Sequence, residues 1–154
     1  MTGDALRFVS SLSLGVLAGA LSLEGLVLVP HWRSLAIGPF SELHRDFAPR
    51  LYTFFAPLTT IAVGLSISSG AVSALGGDRT ADDGFTIASA VLATSLLAFY
   101  GLYFHAANNR LPELAKLRDE RGLTLELVRW HRVHAARTVT CVLAVVLAML
   151  GLSR

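Results

Sequence analysis

The stretch LYTFFAPLTTIAVGLSISSGAVSAL, Leu51 to Leu75, carries no charged residue along its whole length. As a helix it would be roughly 37 Å long at 1.5 Å per residue. That exceeds the ~30 Å hydrocarbon thickness of a bilayer. Three further uncharged runs flank it: Phe8 to Leu23, Phe85 to Asn109 and Thr138 to Leu152. Almost every charge falls between these runs, so the pattern predicts an all-α, integral membrane four-helix bundle. The expected spans are about 8–29, 51–75, 85–107 and 128–152.

Composition agrees. The 154 residues are 53% hydrophobic and 16% charged, with a mean hydropathy of +0.58. The helices of a soluble bundle would each carry a polar stripe, and no segment is long enough for a separate soluble domain. A net charge of +2, with Lys116 the sole lysine, gives no reason to expect nucleic-acid binding. Cys141 is alone, so neither an internal disulfide nor a CxxC metal site is expected. Arg7 before an apolar stretch has the look of a signal peptide. That stretch runs to Val29, however, which is too long, so it is expected to be retained as the first span.

Pro30 is expected to end the first span, because proline lacks the N–H and clashes with the preceding turn. His31 to Arg50 reads as a polar and aromatic loop broken by Pro39 and Pro49. Gly76-Gly77-Asp78 and Asp82-Asp83-Gly84 read as a tight acidic connection. Asn108 to Arg129 is charged, and Leu111, Leu114, Leu117 and Leu125 predict a short amphipathic helix or a helix extension there. Nine basic residues fall in the first and third loops, against Arg7, Arg79 and Arg154 in the termini and second loop. The positive-inside rule then predicts both termini outside the cytoplasm.

Polar residues at membrane depth are expensive and mark binding or pairing. Glu24 lies six residues before Pro30, roughly 9 Å from the expected helix end. Trp130, His134 and Arg137 have i, i+4, i+7 spacing and share one helical face. Arg137 lies about two turns inside the last span, and Glu24 is its expected partner. His105 and Asn109 share a face near the end of the third span, although Asn108 and Asn109 also suit a helix C-cap. His44 lies in the first loop. All of these belong to one end of the bundle and are expected to converge on one polar pocket.

Trp130-x-x-x-His134-x-x-Arg137, Asn109-Arg110-Leu111, and the loop after Pro30 with Phe40 and His44 resemble the DUF1772, or anthrone oxygenase-like, family of four-span membrane proteins. The resemblance covers nearly the whole chain. It implies the four-span fold, and it implies His44, Asn109, Trp130, His134 and Arg137 as the residues to watch. Some fungal relatives are associated with oxidising anthrones to anthraquinones. On that expectation a lipophilic phenol enters from the bilayer, and His134 or His44 removes a proton. Arg137 and Asn109 then stabilise the oxyanion, and Trp130 and Phe40 supply a flat wall. Cofactor-free chemistry and iron or copper both remain open, with His44, His134, Glu24 and His105 as metal-ligand types. A competing expectation is a non-catalytic subunit, in a homo-oligomer or a larger membrane complex, or a carrier of a small lipophile or quinone.

Overall fold

The computed structural model describes residues 3–76 and 80–152. Among these the chain is helical and forms four long antiparallel helices: Gly3–Ser34, Ile37–Leu75, Ala81–Lys116 and Glu120–Leu150. All four are long and apolar enough to cross a membrane. Each packs against its neighbours in sequence, and the first also packs against the fourth, closing the ring.

The helices outrun the apolar runs at the basic end. Pro30 does not end the first helix, which continues to Ser34. Immediately before it the helix widens into a π-turn, Glu24–Leu28, where the Val29 N–H donates to the Glu24 carbonyl. Proline lacks a donor and its ring presses on the carbonyl four residues back. Here that carbonyl belongs to Leu26, inside the widened turn, and a π-bulge is one of the few ways a helix absorbs such a conflict. Glu24 is therefore ten residues from the helix end, about 15 Å rather than 9 Å.

The expected loop His31 to Arg50 is also mostly helix. Only Leu35 and Ala36 break it, and the second helix starts at Ile37. Pro39 falls in the first turn, where its missing N–H costs nothing, and Pro49 and Pro57 are carried in the interior. Asp82-Asp83-Gly84 is likewise no connection but the start of the third helix. Thr80 caps it in a reciprocal box, donating its N–H to Asp83 Oδ2 at 2.8 Å. Asp83 in turn pairs with Arg7. The expected turn at Gly77 and Asp78, and Arg79 and Arg154 of the charge count, lie outside the described residues.

The third helix runs on through Asn108 and Asn109, so neither is a C-cap, and it ends at Lys116. There Arg118 takes a positive φ of 54°. Its N–H donates to the Ala115 carbonyl at 3.2 Å, and that of Asp119 to Leu114 at 3.0 Å, which makes a Schellman stop. Asp119 caps the fourth helix, accepting from the Gly122 N–H at 2.8 Å, so that helix starts at Glu120 rather than near 128.

Two cores fill the ring. One is aliphatic, with Leu14, Leu17, Leu21, Leu96 and Cys141. The other, at the basic end, is aromatic, with Trp32, Phe40, Phe104 and Trp130. Gly70 lets the second and third helices touch, since a Cβ there would lie 2.6 Å from that of Ala90. Glu126 ties the third and fourth helices by accepting from Tyr103 at 3.1 Å and Arg110 at 3.2 Å.

Candidate functional site

Trp130, His134 and Arg137 do share one face, and all are buried, at 5%, 1% and 8% exposure. The indole stacks on the imidazole with ring centroids 4.9 Å apart and 10° between planes. Phe104 and Trp32 meet Trp130 edge-on at 5.2 and 5.9 Å. Its indole N–H donates to Asn108 Oδ1 at 3.0 Å, which satisfies the one polar atom of the ring. Asn108 therefore orients Trp130, a role that the sequence did not signal.

Arg137 is less completely satisfied. One Nη donates to Thr59 Oγ1 over a long 3.4 Å, and the guanidinium carbon lies 5.4 Å from the Phe104 ring centroid. Its buried Nε has no hydrogen-bond partner. The expected pairing with Glu24 is not made as a direct ion pair: the two charges act on each other through space, and Glu24 Oε2 lies 3.8 Å from His134 Nδ1. Glu24, at the start of the π-turn, faces the histidine, while Arg137 meets Thr59 and the face of Phe104.

Glu24, Trp32, Thr59, Phe104, Asn108, Trp130 and Arg137 border one cavity of about 550 Å³, a size that suits a small organic ligand. Its buried part presents Glu24, Thr59 and Arg137, and Trp32, Phe55, Phe104 and Trp130 supply aromatic wall. Its more open part is bordered by His44, Tyr52, Tyr100, His105, Asn108 and Asn109. The cavity thus lies across the boundary where the apolar run beginning at Leu51 meets its polar extension. A second π-turn, Tyr100–Phe104, borders it from the third helix. Glu24 opens the first π-turn and Tyr100 the second, so each widened turn contributes to the lining. Such bulges are frequent at functional sites. The pattern of apolar residues carries no sign of either.

Of the residues singled out from sequence, Glu24, His44, His105, Asn109, Trp130 and Arg137 border the cavity. His134 does not. Its Nε2 meets the Leu21 carbonyl at 2.9 Å behind the Trp130 ring, so it has no open face for a bound molecule. Phe40 is also set back, packed in the aromatic core with its ring 5.4 Å from that of His44. Trp32, Thr59, Tyr100 and Phe104 were missed. Thr59, Tyr100 and Phe104 lie inside apolar runs, where they look like ordinary span filler, and Trp32 reads as one more aromatic of the expected loop. Among the described residues no three His, Cys, Asp or Glu side chains come together as a metal site. No family model, curated protein or solved structure matches the chain.

Proposed function

We propose that the chain is a membrane oxidoreductase that holds a flat lipophilic phenol, quinol or anthrone in this cavity with its oxygen at Arg137. The observation that carries the reading is a buried guanidinium on a largely aromatic cavity, one nitrogen unpartnered and another only weakly bonded. Buried donors of this kind favour an oxygen that gains negative charge. The resemblance to the anthrone oxygenase-like family supports the same substrate class. With anthrone the balance is one dioxygen consumed. One oxygen atom becomes the new carbonyl of anthraquinone, and the other leaves as water with the two methylene hydrogens. Arg137 stabilises the anion formed when the first proton departs, and Trp130 and Phe104 hold the ring plane.

The reading extends to a bacterial inner membrane, with the basic end in the cytoplasm and both termini outside. A cysteine introduced by Ser41→Cys then reacts with an impermeant thiol reagent only from the cytoplasmic side.

Both tryptophans of the chain border the cavity, so tryptophan emission reports on occupancy. Anthrone titrated without oxygen into the purified, detergent-solubilised protein quenches that emission saturably, and admitting oxygen yields anthraquinone faster than in buffer. Emission unchanged up to the solubility limit of anthrone removes the reading. Quenching without turnover leaves a carrier or sensor of lipophiles.

A further inference from the structure

We propose that Glu24 and His134 form a one-proton acceptor pair for this cavity. Glu24 takes the proton from the bound molecule, and His134 acts as the positioning residue behind it. The inference rests on the cavity reading above and names the group that receives the proton there.

The donor and acceptor pattern carries the argument. The partner of His134 Nε2 is the Leu21 carbonyl at 2.9 Å, and a carbonyl only accepts, so Nε2 bears the hydrogen. In the neutral ring the lone pair is then on Nδ1. That atom is buried without a hydrogen-bond partner, and it faces Glu24 Oε2 at 3.8 Å. A carboxylate and a bare imidazole lone pair facing each other both accept and neither donates, so the buried Nδ1 is left without a hydrogen. One proton between them satisfies both, whichever atom carries it, once the gap closes by about 1 Å to hydrogen-bond length.

The backbone is arranged for this approach. Gly25, next to Glu24 in the π-turn, has no Cβ, and one placed there would lie 3.0 Å from His134 Cδ2 and 3.1 Å from Nε2. Glycine lets the imidazole approach the helix backbone here, where any larger residue would make the ring give by a few tenths of an ångström. The other titratable groups acting on the pair are Arg137 and His131, both on the fourth helix.

Glu24 borders the cavity and His134 does not, which separates their roles. An X–H bond of the bound molecule breaks and its proton goes to Glu24, while the proton already shared by the pair comes to rest on His134 Nδ1 and the electron pair stays with the molecule. The pair passes from one proton to two. The anion left in the cavity lies beside Arg137, so no net charge is created in the site.

The test is nitrogen NMR of the full-length protein, labelled with ¹⁵N-histidine and held in lipid nanodiscs. The expected wild-type spectrum has His134 protonated at Nε2, with its Nδ1 resonance displaced toward the protonated position. Glu24→Gln returns Nδ1 to a plain acceptor and leaves Nε2 unchanged. Should Glu24→Gln not assemble, Glu24→Asp shortens the side chain and moves Nδ1 the same way. A His134 Nδ1 resonance identical in wild type and variant, or a hydrogen on Nδ1 with none on Nε2, overturns the pair. With anthrone as probe, Glu24→Gln lowers turnover by about 100-fold or more while tryptophan quenching persists, and Glu24→Asp restores part of it. Full turnover in Glu24→Gln also overturns the pair. Absence of quenching in the wild type defeats the cavity reading alone, because the nitrogen spectrum needs no ligand.

Discussion

The indole of Trp130 lies flat on the imidazole of His134, 4.9 Å between centroids and 10° from parallel. It therefore forms both a wall of the cavity and the screen that separates His134 from it. Trp130→Ala opens the cavity onto the imidazole and costs about 3–5 kcal/mol, as for other large aromatic deletions. Trp130→Phe keeps a ring but loses the bond to Asn108, for a cost of about 1 kcal/mol. Thermal unfolding in detergent should rank them in that order, and equal midpoints would contradict the packing.

Gly25→Ala should destabilise by about 1–3 kcal/mol, since its methyl crowds the buried His134 ring and the packing around it must give. Gly19→Ala is the control. Nothing lies within 4 Å of a Cβ at Gly19, and replacing a helical glycine with alanine there should be neutral or stabilising by up to about 1 kcal/mol. Denaturation midpoints that move in the same direction would refute the close approach at Gly25.

Arg137→Met is the substitution to which binding should be most sensitive. Losing a charged donor to a ligand oxygen costs about 1.5–3 kcal/mol, so half-saturation of anthrone quenching should rise roughly 10- to 100-fold. Stability should change little, or improve, because a buried charge with one long hydrogen bond gives way to an apolar chain of similar length. Unaltered half-saturation would place the ligand elsewhere.

Asp83→Ala acts at the far end. It removes both the pairing with Arg7 and the capping box with Thr80, and should cost about 1–3 kcal/mol. Anthrone quenching of the folded variant should match wild type, since none of these residues borders the large cavity. Altered half-saturation would mean that the two ends are coupled.

The four long apolar helices were legible because uncharged runs of that length have few uses other than crossing a bilayer or filling a core. Their ends were not. Charged residues such as Glu42 and Arg45 are as compatible with helix as with loop, and Pro39 falls in a first turn, where proline breaks nothing. The face shared by Trp130 and Arg137 followed from spacing on an unbroken helix. Spacing alone did not tell that Glu24 would face His134 Nδ1 rather than bond Arg137 directly. Phe104 carried one weak signal, its four-residue spacing from Tyr100 and Asn108. Thr59 carried none, since a hydroxyl in an apolar run ordinarily bonds its own helix.

Each of the two widened turns behaves as a helix with one residue too many, rotated by roughly 100° relative to regular winding. Removing a single amino acid from Glu24–Leu28 or from Tyr100–Phe104 would let ordinary winding resume, with the hydrophobic length nearly unchanged. The bundle would survive such a deletion, but the carboxylate or the ring would swing off its station. Homologous bundles that lack this binding chamber should accordingly be shorter by one residue at one or both places.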